Sequence, residues 1–166
     1  MLERSAKKYI DSWIQSGRDA LLITGARQIG KTYLIKECLR ESGVPYVELN
    51  FIDQPELATL FGGAREAKDL LMRLSLVTKQ PLEKGRTIIF LDEVQEFKDI
   101  VTRVKFLVED ESYRYIMSGS LLGVELNDLR SAPVGYLRVC DMYPMDLHEF
   151  MVSVGVNQNV IDTLKE

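Results

Sequence analysis

The stretch GARQIGKT, residues 25–32, decides the fold class because it joins a short apolar run to a helical pattern. The run ALLIT, residues 20–24, precedes it and is typical of a buried strand. The pattern KTYLIKECLRESG follows it and predicts a helix that Gly43 closes. Two glycines five residues apart, then lysine and threonine, form a phosphate-binding loop in its strand-to-helix setting. The sequence therefore predicts that this loop binds nucleotide phosphates.

The residue types of the loop suit an anion with several oxygens. Glycines let the backbone turn so that N–H groups face phosphate oxygens, and the positive end of the following helix adds to the site. Lys31 is expected to reach the β- and γ-phosphates, and the Thr32 hydroxyl to ligate Mg²⁺. The predicted nucleotide-binding residues are Gly25, Ala26, Arg27, Gln28, Ile29, Gly30, Lys31 and Thr32.

A second pattern, TIIFLDEVQEF at residues 87–97, places Asp92 and Glu93 at the carboxyl end of an apolar strand. In open α/β sheets, ligands bind at that end. Asp92 is expected to hold Mg²⁺ through its water shell, and Glu93 to orient and deprotonate the water that attacks the γ-phosphoryl group. The alternative is a pair of solvated carboxylates at a strand end.

The Asp-Glu pair favours ATP hydrolysis over other P-loop chemistry. A GTPase would carry an Asn-Lys-x-Asp motif, and the nearest string, NDLR at residues 127–130, lacks the lysine. A small-molecule kinase does not need a water-activating glutamate and is the weaker alternative. A nucleotide-dependent switch or scaffold module with negligible turnover stays open.

A third pattern, YIMSGS at residues 115–120, ends a strand with two hydroxyls. Ser118 and Ser120 are expected to contact the γ-phosphate or the attacking water. A strand-to-helix turn with Ser120 as its N-cap is an equal and compatible interpretation. Arg27, between the two loop glycines, has two interpretations: it contacts a phosphate or a neighbouring loop, or it faces solvent or pairs with a carboxylate.

Strand and helix patterns alternate along the chain, and the strands are continuous apolar runs. This combination predicts a parallel sheet covered on both faces, an α/β three-layer domain. Asp53 is expected to cap a short helix in DQPELATLF, and residues 120–131 to form a helix or a structured loop. The other predicted strands are PYVELNF, RTIIFLDEV, YRYIMSG and VGYLRVCDMYP.

The composition is that of an ordinary globular protein: 166 residues, 46% hydrophobic, 28% charged, with formal net charge −4. The net negative charge argues against nucleic-acid binding through the overall charge of the domain. It does not exclude a local basic patch. Lys98, Arg103 and Lys105 are predicted to form a solvated helix face; the alternative, a basic patch completed by Arg114, lacks the interleaved aromatic residues of a nucleic-acid site. No apolar run approaches the ~20 residues of a membrane span. The N-terminus also lacks an apolar signal segment, so we expect a cytoplasmic protein.

Four segments together resemble the AAA-type ATPase core of the prokaryotic AAA-14 family, in which a DUF4143 domain usually follows: LLITGARQIGKT, IIFLDEVQEF, YIMSGSLLGVEL and MYPMDLHEF. The resemblance implies ATP and Mg²⁺ as ligands. It implies a P-loop NTPase fold with a five-stranded parallel sheet in the AAA-like order, the YIMSGS strand lying between the P-loop and Asp92 strands. It also implies that Glu93 is the catalytic glutamate and that Ser118 or Ser120 is the sensor-1 residue.

The same resemblance implies a domain organisation and partners. Residues 1–150 would form the ATPase domain with its N-terminal helix, and residues 151–166 would begin a linker or a following domain. The chain would then belong to a regulatory AAA or STAND-like protein, with a protein partner or self-association through a missing C-terminal region. Arg130 either reaches a neighbouring subunit's γ-phosphate or is a surface side chain. Many members have Gly-Arg where this chain has Gly135-Tyr136, which leaves an arginine role there open.

Overall fold

The computed structural model describes residues 5–120 and 135–164 and contains a five-stranded sheet whose strands are all parallel. In chain order the strands are β1 (Ala20–Thr24), β2 (Tyr46–Asn50), β3 (Ile88–Asp92), β4 (Arg114–Gly119) and β5 (Leu137–Asp141). Their spatial order is β2-β3-β4-β1-β5. The predicted fold class is confirmed, including the position of β4 between the P-loop strand and the Asp92 strand.

The strands of a parallel sheet all point the same way, so their carboxyl ends meet at one edge. Ile23 of β1 is paired with Ser118 of β4, and Asn50 of β2 is paired with Asp92 of β3. Thr24 of β1 is paired with the last residue of β5. The polar residues that end the strands therefore lie beside the P-loop, where ligands of such sheets bind.

Strand β1 shows why both faces of the sheet are covered. Ala20 and Leu22 belong to one buried cluster, whereas Leu21 and Ile23 belong to the other. Successive strand side chains point to opposite faces, so an all-apolar strand needs an apolar neighbour on each side. All five residues of β1 and all five of β3 are buried.

Helices supply the two outer layers. The helices of the described residues are α1 (Ser5–Ser16), α2 (Lys31–Ser42), α3 (Glu56–Gly62), α4 (Ala67–Val77), α5 (Asp99–Asp110), α6 (Leu147–Ser153) and α7 (Gln158–Leu164), with a 3₁₀ turn at Val94–Phe97, and the first five form these layers. Helices α1 and α2 pack on the face of Leu21, and α3, α4 and α5 pack on the face of Leu22. No helix in the described part of the chain is both long and apolar enough to cross a bilayer.

Local sequence signals set some helix ends and not others. Gly43 closes α2 as predicted, in the left-handed conformation with φ 72° that glycine tolerates. The prediction that Asp53 caps the next helix is wrong, because α3 begins at Glu56 and has no side-chain cap. Asn50 Oδ1 instead accepts the N–H of Asp53 at 3.1 Å. A turn held by the end of β2 therefore replaces the expected cap.

Two of the basic side chains, Arg103 and Arg114, bind the ends of different helices instead of lying together on one solvated face. Arg114 is half-buried over the Trp13 ring, and its Nη1 donates to the carbonyl of Ile14 at 2.7 Å, near the end of α1. Arg103 lies on the other side of the sheet from α1, in the layer of α3, α4 and α5, and binds the end of α3. Carbonyls at the ends of helices lack partners, and a guanidinium supplies several donors at once. The prediction of a solvated face that includes Arg103 is therefore wrong.

Replacing Arg103 with methionine is expected to lower the free energy of unfolding by about 2–3 kcal/mol. Arg103 Nη1 donates to the carbonyls of Phe61, at 2.9 Å, and Ala64, and its Nη2 donates to the carbonyl of Gly62 at 3.2 Å. Methionine keeps the aliphatic volume but leaves these carbonyls without a charged donor. The exposed Lys105 on the same helix is the control, and Lys105→Met should change stability by less than ~0.5 kcal/mol. Equal urea midpoints for the two variants would contradict this role.

Two predictions lie partly outside what the structure describes. The expected helix or loop over residues 120–131 lies outside the described residues after Ser120, as does Arg130. The expected domain boundary after residue 150 falls inside α6. The assignment of residues 151–166 to a linker or a following domain stays a prediction.

Candidate active site

The P-loop runs from the end of β1 to the start of α2 and depends on two glycines. Gly25 has φ 152°, and a Cβ built on it would lie 2.2 Å from the backbone oxygen of Met142. Gly30 has φ 91° and precedes α2 without a side-chain cap. Gln28 also adopts a positive φ of 62°, which is uncommon for a residue with a Cβ. The first N–H groups of α2 are thus left for a ligand.

Lys31 lies folded over its own loop. Its Nζ donates to the carbonyl of Gly25 at 3.1 Å and to the carbonyl of Ala26 at 2.5 Å, and the residue is only 7% exposed. Burial lowers the pKa of Lys31, and the nearby carboxylates of Glu93 and Asp92 oppose that shift. The Lys31 ammonium therefore lies where phosphate oxygens are expected. A bound phosphate would replace the two carbonyls as its acceptors.

Asp92 is the centre of the polar network at the end of β3. Thr32 Oγ1 lies 3.0 Å from its Oδ1 and 2.9 Å from its Oδ2, and the hydroxyl of Ser118 donates to Oδ1. The backbone N–H of Glu93 donates to the same Oδ1 at 3.0 Å, and Asn50 Nδ2 lies 3.4 Å from Oδ2. Burial raises the pKa of Asp92, while the bonds from Ser118 and Thr32 lower it. Three segments distant in sequence therefore converge on one carboxylate.

Glu93 turns out of the strand immediately after Asp92. Its backbone is left-handed, with φ 60° and ψ 47°, and it begins the 3₁₀ turn. Burial raises the pKa of Asp92 and lowers that of Lys31; the charge of Glu93 adds to the first shift and opposes the second, as expected of a carboxylate near the loop. Gln95 Nε2 donates to Glu93 Oε2 at 2.5 Å. The predicted base is therefore present at the site with one oxygen engaged.

The other predicted residues, Ser118, Ser120 and Arg27, differ in whether they contact the polar network around Asp92. Ser118 is 1% exposed and touches Asp92, whereas Ser120 meets the network through its backbone, whose N–H donates to Gln95 Oε1 at 3.1 Å. Arg27 is exposed and makes no hydrogen bond or ion pair with the part of the chain that the structure describes. The roles of Ser118, Ser120 and Arg27 in catalysis or binding stay predictions.

Sequence reasoning missed three participants: Asn50, Gln95 and Met142. Asn50 is the next-to-last residue of the predicted strand PYVELNF, so its polar side chain near the ligand edge was an available signal. Gln95 stands two residues after Glu93, where spacing alone does not reveal a contact. Met142 contacts the loop strand through its backbone: its oxygen leaves no room for a side chain at Gly25, and its N–H donates to the carbonyl of Thr24 at 2.7 Å.

An open groove of about 380 Å³ lies beside the loop. Ile29, Tyr33 and Leu34 line one part of it, and Pro144 and Met145 line another. A larger depression of about 770 Å³ lies at the β2 edge and shares no lining residue with the loop or with Asp92. We therefore assign the smaller groove to this site, because P-loop residues line it, although the depression at the β2 edge is larger.

Comparisons with known proteins agree with the geometry. A chain in the structure of Drosophila ORC bound to DNA is similar to this chain, with a TM-score of 0.55 at 14% identity over 90% of this chain and 44% of that one. The structure of C. elegans PCH-2 gives a TM-score of 0.48 at 12% identity over 93% and 48%. The likeness to the ORC chain shows the fold alone, and this chain spans less than half the length of either neighbour.

No curated protein sequence matches the chain. The sequence model of the AAA_14 family, described as an AAA domain, matches residues 17–151. That match covers most of the chain and includes the P-loop, Asp92, Glu93 and both serines. The chain belongs to the AAA_14 family of AAA domains, with the fold of a P-loop nucleotide-binding ATPase core.

Proposed function

We propose that the chain is a Mg²⁺-dependent, ATP-binding and ATP-hydrolysing domain of a regulatory AAA or STAND-like protein. The observation that carries this proposal is the direct contact between Thr32 of the P-loop and Asp92 at the end of β3, at 2.9 Å. Lys31 and Glu93 flank that contact. Phosphate binding, metal binding and water activation thus have neighbouring residues to perform them.

The loop is built to exchange internal bonds for bonds to phosphate. Lys31 Nζ bonds only backbone carbonyls among the described residues, and phosphate oxygens would replace these acceptors with charged ones. The uncapped N-terminus of α2 adds N–H donors and the positive end of the helix dipole. We expect the nucleobase to occupy the groove between Tyr33 and Met145, alongside the loop.

The donor set at Asp92 fits magnesium. Mg²⁺ prefers oxygen ligands, and Thr32 Oγ1 and the Asp92 carboxylate supply them. Asp92 is 1% exposed and bonds only uncharged donors within the described residues, so a cation would compensate a buried charge. When bound, Mg²⁺ would neutralise charge on the β- and γ-phosphates.

Glu93 is the proposed general base. Its carboxylate directly follows the aspartate proposed to bind the metal, at the end of β3 that lies beside the P-loop. Its charge opposes the lowering of the Lys31 pKa by burial. It would accept a proton from the attacking water as the bond to the terminal phosphorus forms and the bond to the ADP oxygen breaks. Ser118 would hold the Asp92 carboxylate in place through its hydroxyl.

We further propose that residues 151–166 lead to a following domain or a partner protein. Large apolar side chains on α6 and α7 are exposed, including Leu147 at 69% and Leu164 at 65%. Exposed apolar side chains of this size on neighbouring short helices are suited to burial against another protein surface. Arg130 is the candidate for a contact with a neighbouring subunit's nucleotide.

A nucleotide-dependent switch with negligible turnover is the second candidate. The bond between Gln95 and Glu93 favours it, because this bond occupies one of the two oxygens with which Glu93 could accept a proton from water. A switch would bind ATP and change conformation without releasing phosphate. The two candidates therefore differ in one measurable quantity, the rate of phosphate release.

Thermal unfolding and phosphate release, measured together, test the proposal. With ATP and Mg²⁺ at about 100 times the dissociation constant, mass action should stabilise the fold by about 2.7 kcal/mol. Chelating Mg²⁺ or substituting Lys31→Met should remove most of this stabilisation. Phosphate release under single-turnover conditions supports the enzyme, and stabilisation without release supports the switch. A melting curve that ATP does not move would overturn both candidates.

A further inference from the structure

The side chain of Gln95 joins the proposed base to the end of the neighbouring strand. Its Nε2 donates to Glu93 Oε2 at 2.5 Å, and its Oε1 accepts the backbone N–H of Ser120 at 3.1 Å. The orientation of the amide is fixed by its partners, since a carboxylate only accepts and a backbone N–H only donates. The amide nitrogen therefore binds the residue after β3, and the amide oxygen binds the residue after β4.

This bridge begins where the backbone pairing of β3 and β4 stops. The ladder between the two strands extends to Leu91 and Met117. Beyond it, the strand ends are connected by side chains: Ser118 binds Asp92, and Gln95 binds the backbone of Ser120. The position of Glu93 is thus tied to the same strand that carries Ser118.

Close packing keeps the bridge in place. A Cβ built on Gly119 would lie 2.8 Å from Val94 Cγ2 and 3.2 Å from Gln95 Oε1, so glycine leaves the room that the amide occupies. Glu93 itself leaves β3 in a left-handed conformation, which turns its side chain away from a regular strand path. A carboxylate on such a turn needs an external partner to hold one orientation.

We propose that Gln95 is a positioning residue for ATP hydrolysis, which holds the Glu93 carboxylate in register with the end of β4. This inference rests on the proposed hydrolytic function and assigns a role that the motif residues do not cover. Gln95 keeps one oxygen of Glu93 engaged and so directs the other toward water. It also makes the base follow any displacement of Ser120, the residue that leads from β4 toward residues 121–134.

Two substitutions separate the donor function of Gln95 from its volume. Gln95→Glu fills the same space and keeps an acceptor for the Ser120 N–H, but it replaces the donor to Glu93 with a like charge. Gln95→Met removes both bonds. Each should lower the single-turnover rate by about 10- to 100-fold, a part of the 10²–10⁴ that general-base catalysis contributes. ATP affinity should stay within twofold, and the exposed Gln80→Met serves as the control.

The double variant distinguishes positioning from a general structural effect. In a Glu93→Gln background the base is already absent, so adding Gln95→Met should change the residual rate by less than twofold. An equal loss in both backgrounds would show that Gln95 does not act through Glu93. An unchanged or faster rate in the single variants would overturn the proposal while leaving hydrolysis intact. A wild type that binds ATP without hydrolysing it would overturn both.

Discussion

Substituting Glu93→Gln should lower the single-turnover rate of ATP hydrolysis by about 100- to 1,000-fold, within the range that general-base catalysis contributes. The glutamine amide has nearly the shape of the carboxylate and keeps an oxygen that can accept the bond from Gln95. It cannot take a proton from water at neutral pH. ATP affinity should therefore change little, because Lys31, Thr32 and Asp92 are untouched.

The control for this substitution lies three residues away on the same 3₁₀ turn. Glu96 is exposed, and Glu96→Gln removes the same charge without touching the polar network. Its rate should match that of the wild type. Rates measured by rapid quench at saturating ATP separate chemistry from nucleotide binding. If the Glu93 and Glu96 variants hydrolyse ATP equally fast, Glu93 is not the base.

Substituting Gly25→Ala should weaken ATP binding by at least about 100-fold, equivalent to ~2.7 kcal/mol, and should also destabilise the fold. The added Cβ would lie 2.2 Å from the Met142 oxygen and 2.7 Å from Ile29 Cδ1, on a backbone with φ 152°. A backbone oxygen cannot move aside as the end of a side chain can, so the loop must shift. The carbonyls that Lys31 binds would move with it. We expect a stability cost of about 1–3 kcal/mol.

Gly135→Ala is the matched control for this substitution. Nothing lies within 4 Å of a Cβ built on Gly135, and its φ is outside the left-handed range. Its free energy of unfolding should stay within ~0.5 kcal/mol of the wild type. Calorimetric titration with ATP and urea unfolding of both variants give the two readouts. Wild-type affinity in the Gly25 variant would show that Met142 does not constrain the loop.

Local patterns predicted most of the fold. The apolar runs before Gly25 and Asp92 indicated buried strands, and a buried strand flanked by helices implies a parallel sheet with two covered faces. The strand order came from the family resemblance, since the P-loop setting says which strand carries the loop but not which strand lies beside it. The prediction for Asp53 failed because an N-cap depends on where the preceding chain turns, and Asn50 holds that turn.

The arginines show where residue type misleads. Arg103 stands on a helix among other basic residues, which is the pattern of a solvated face. The end of α3 and the residues that follow it pack against that helix, and the carbonyls of Phe61, Gly62 and Ala64 take the guanidinium as their donor. A contact between residues about forty positions apart is invisible to local pattern, because only the packing of the two helices creates it.

The sequence by itself predicted the residues that we propose to meet a nucleotide: the P-loop from Gly25 to Thr32, and Asp92 with Glu93. Short segments are enough to recognise these residues: glycines stand where the backbone must turn, and two carboxylates stand at the end of an apolar strand. Tertiary structure alone decided how they are held together, with Ser118 on Asp92 and Gln95 between Glu93 and Ser120. Such bonds join separate strands, so they exist only once the sheet has brought the strand ends to one edge.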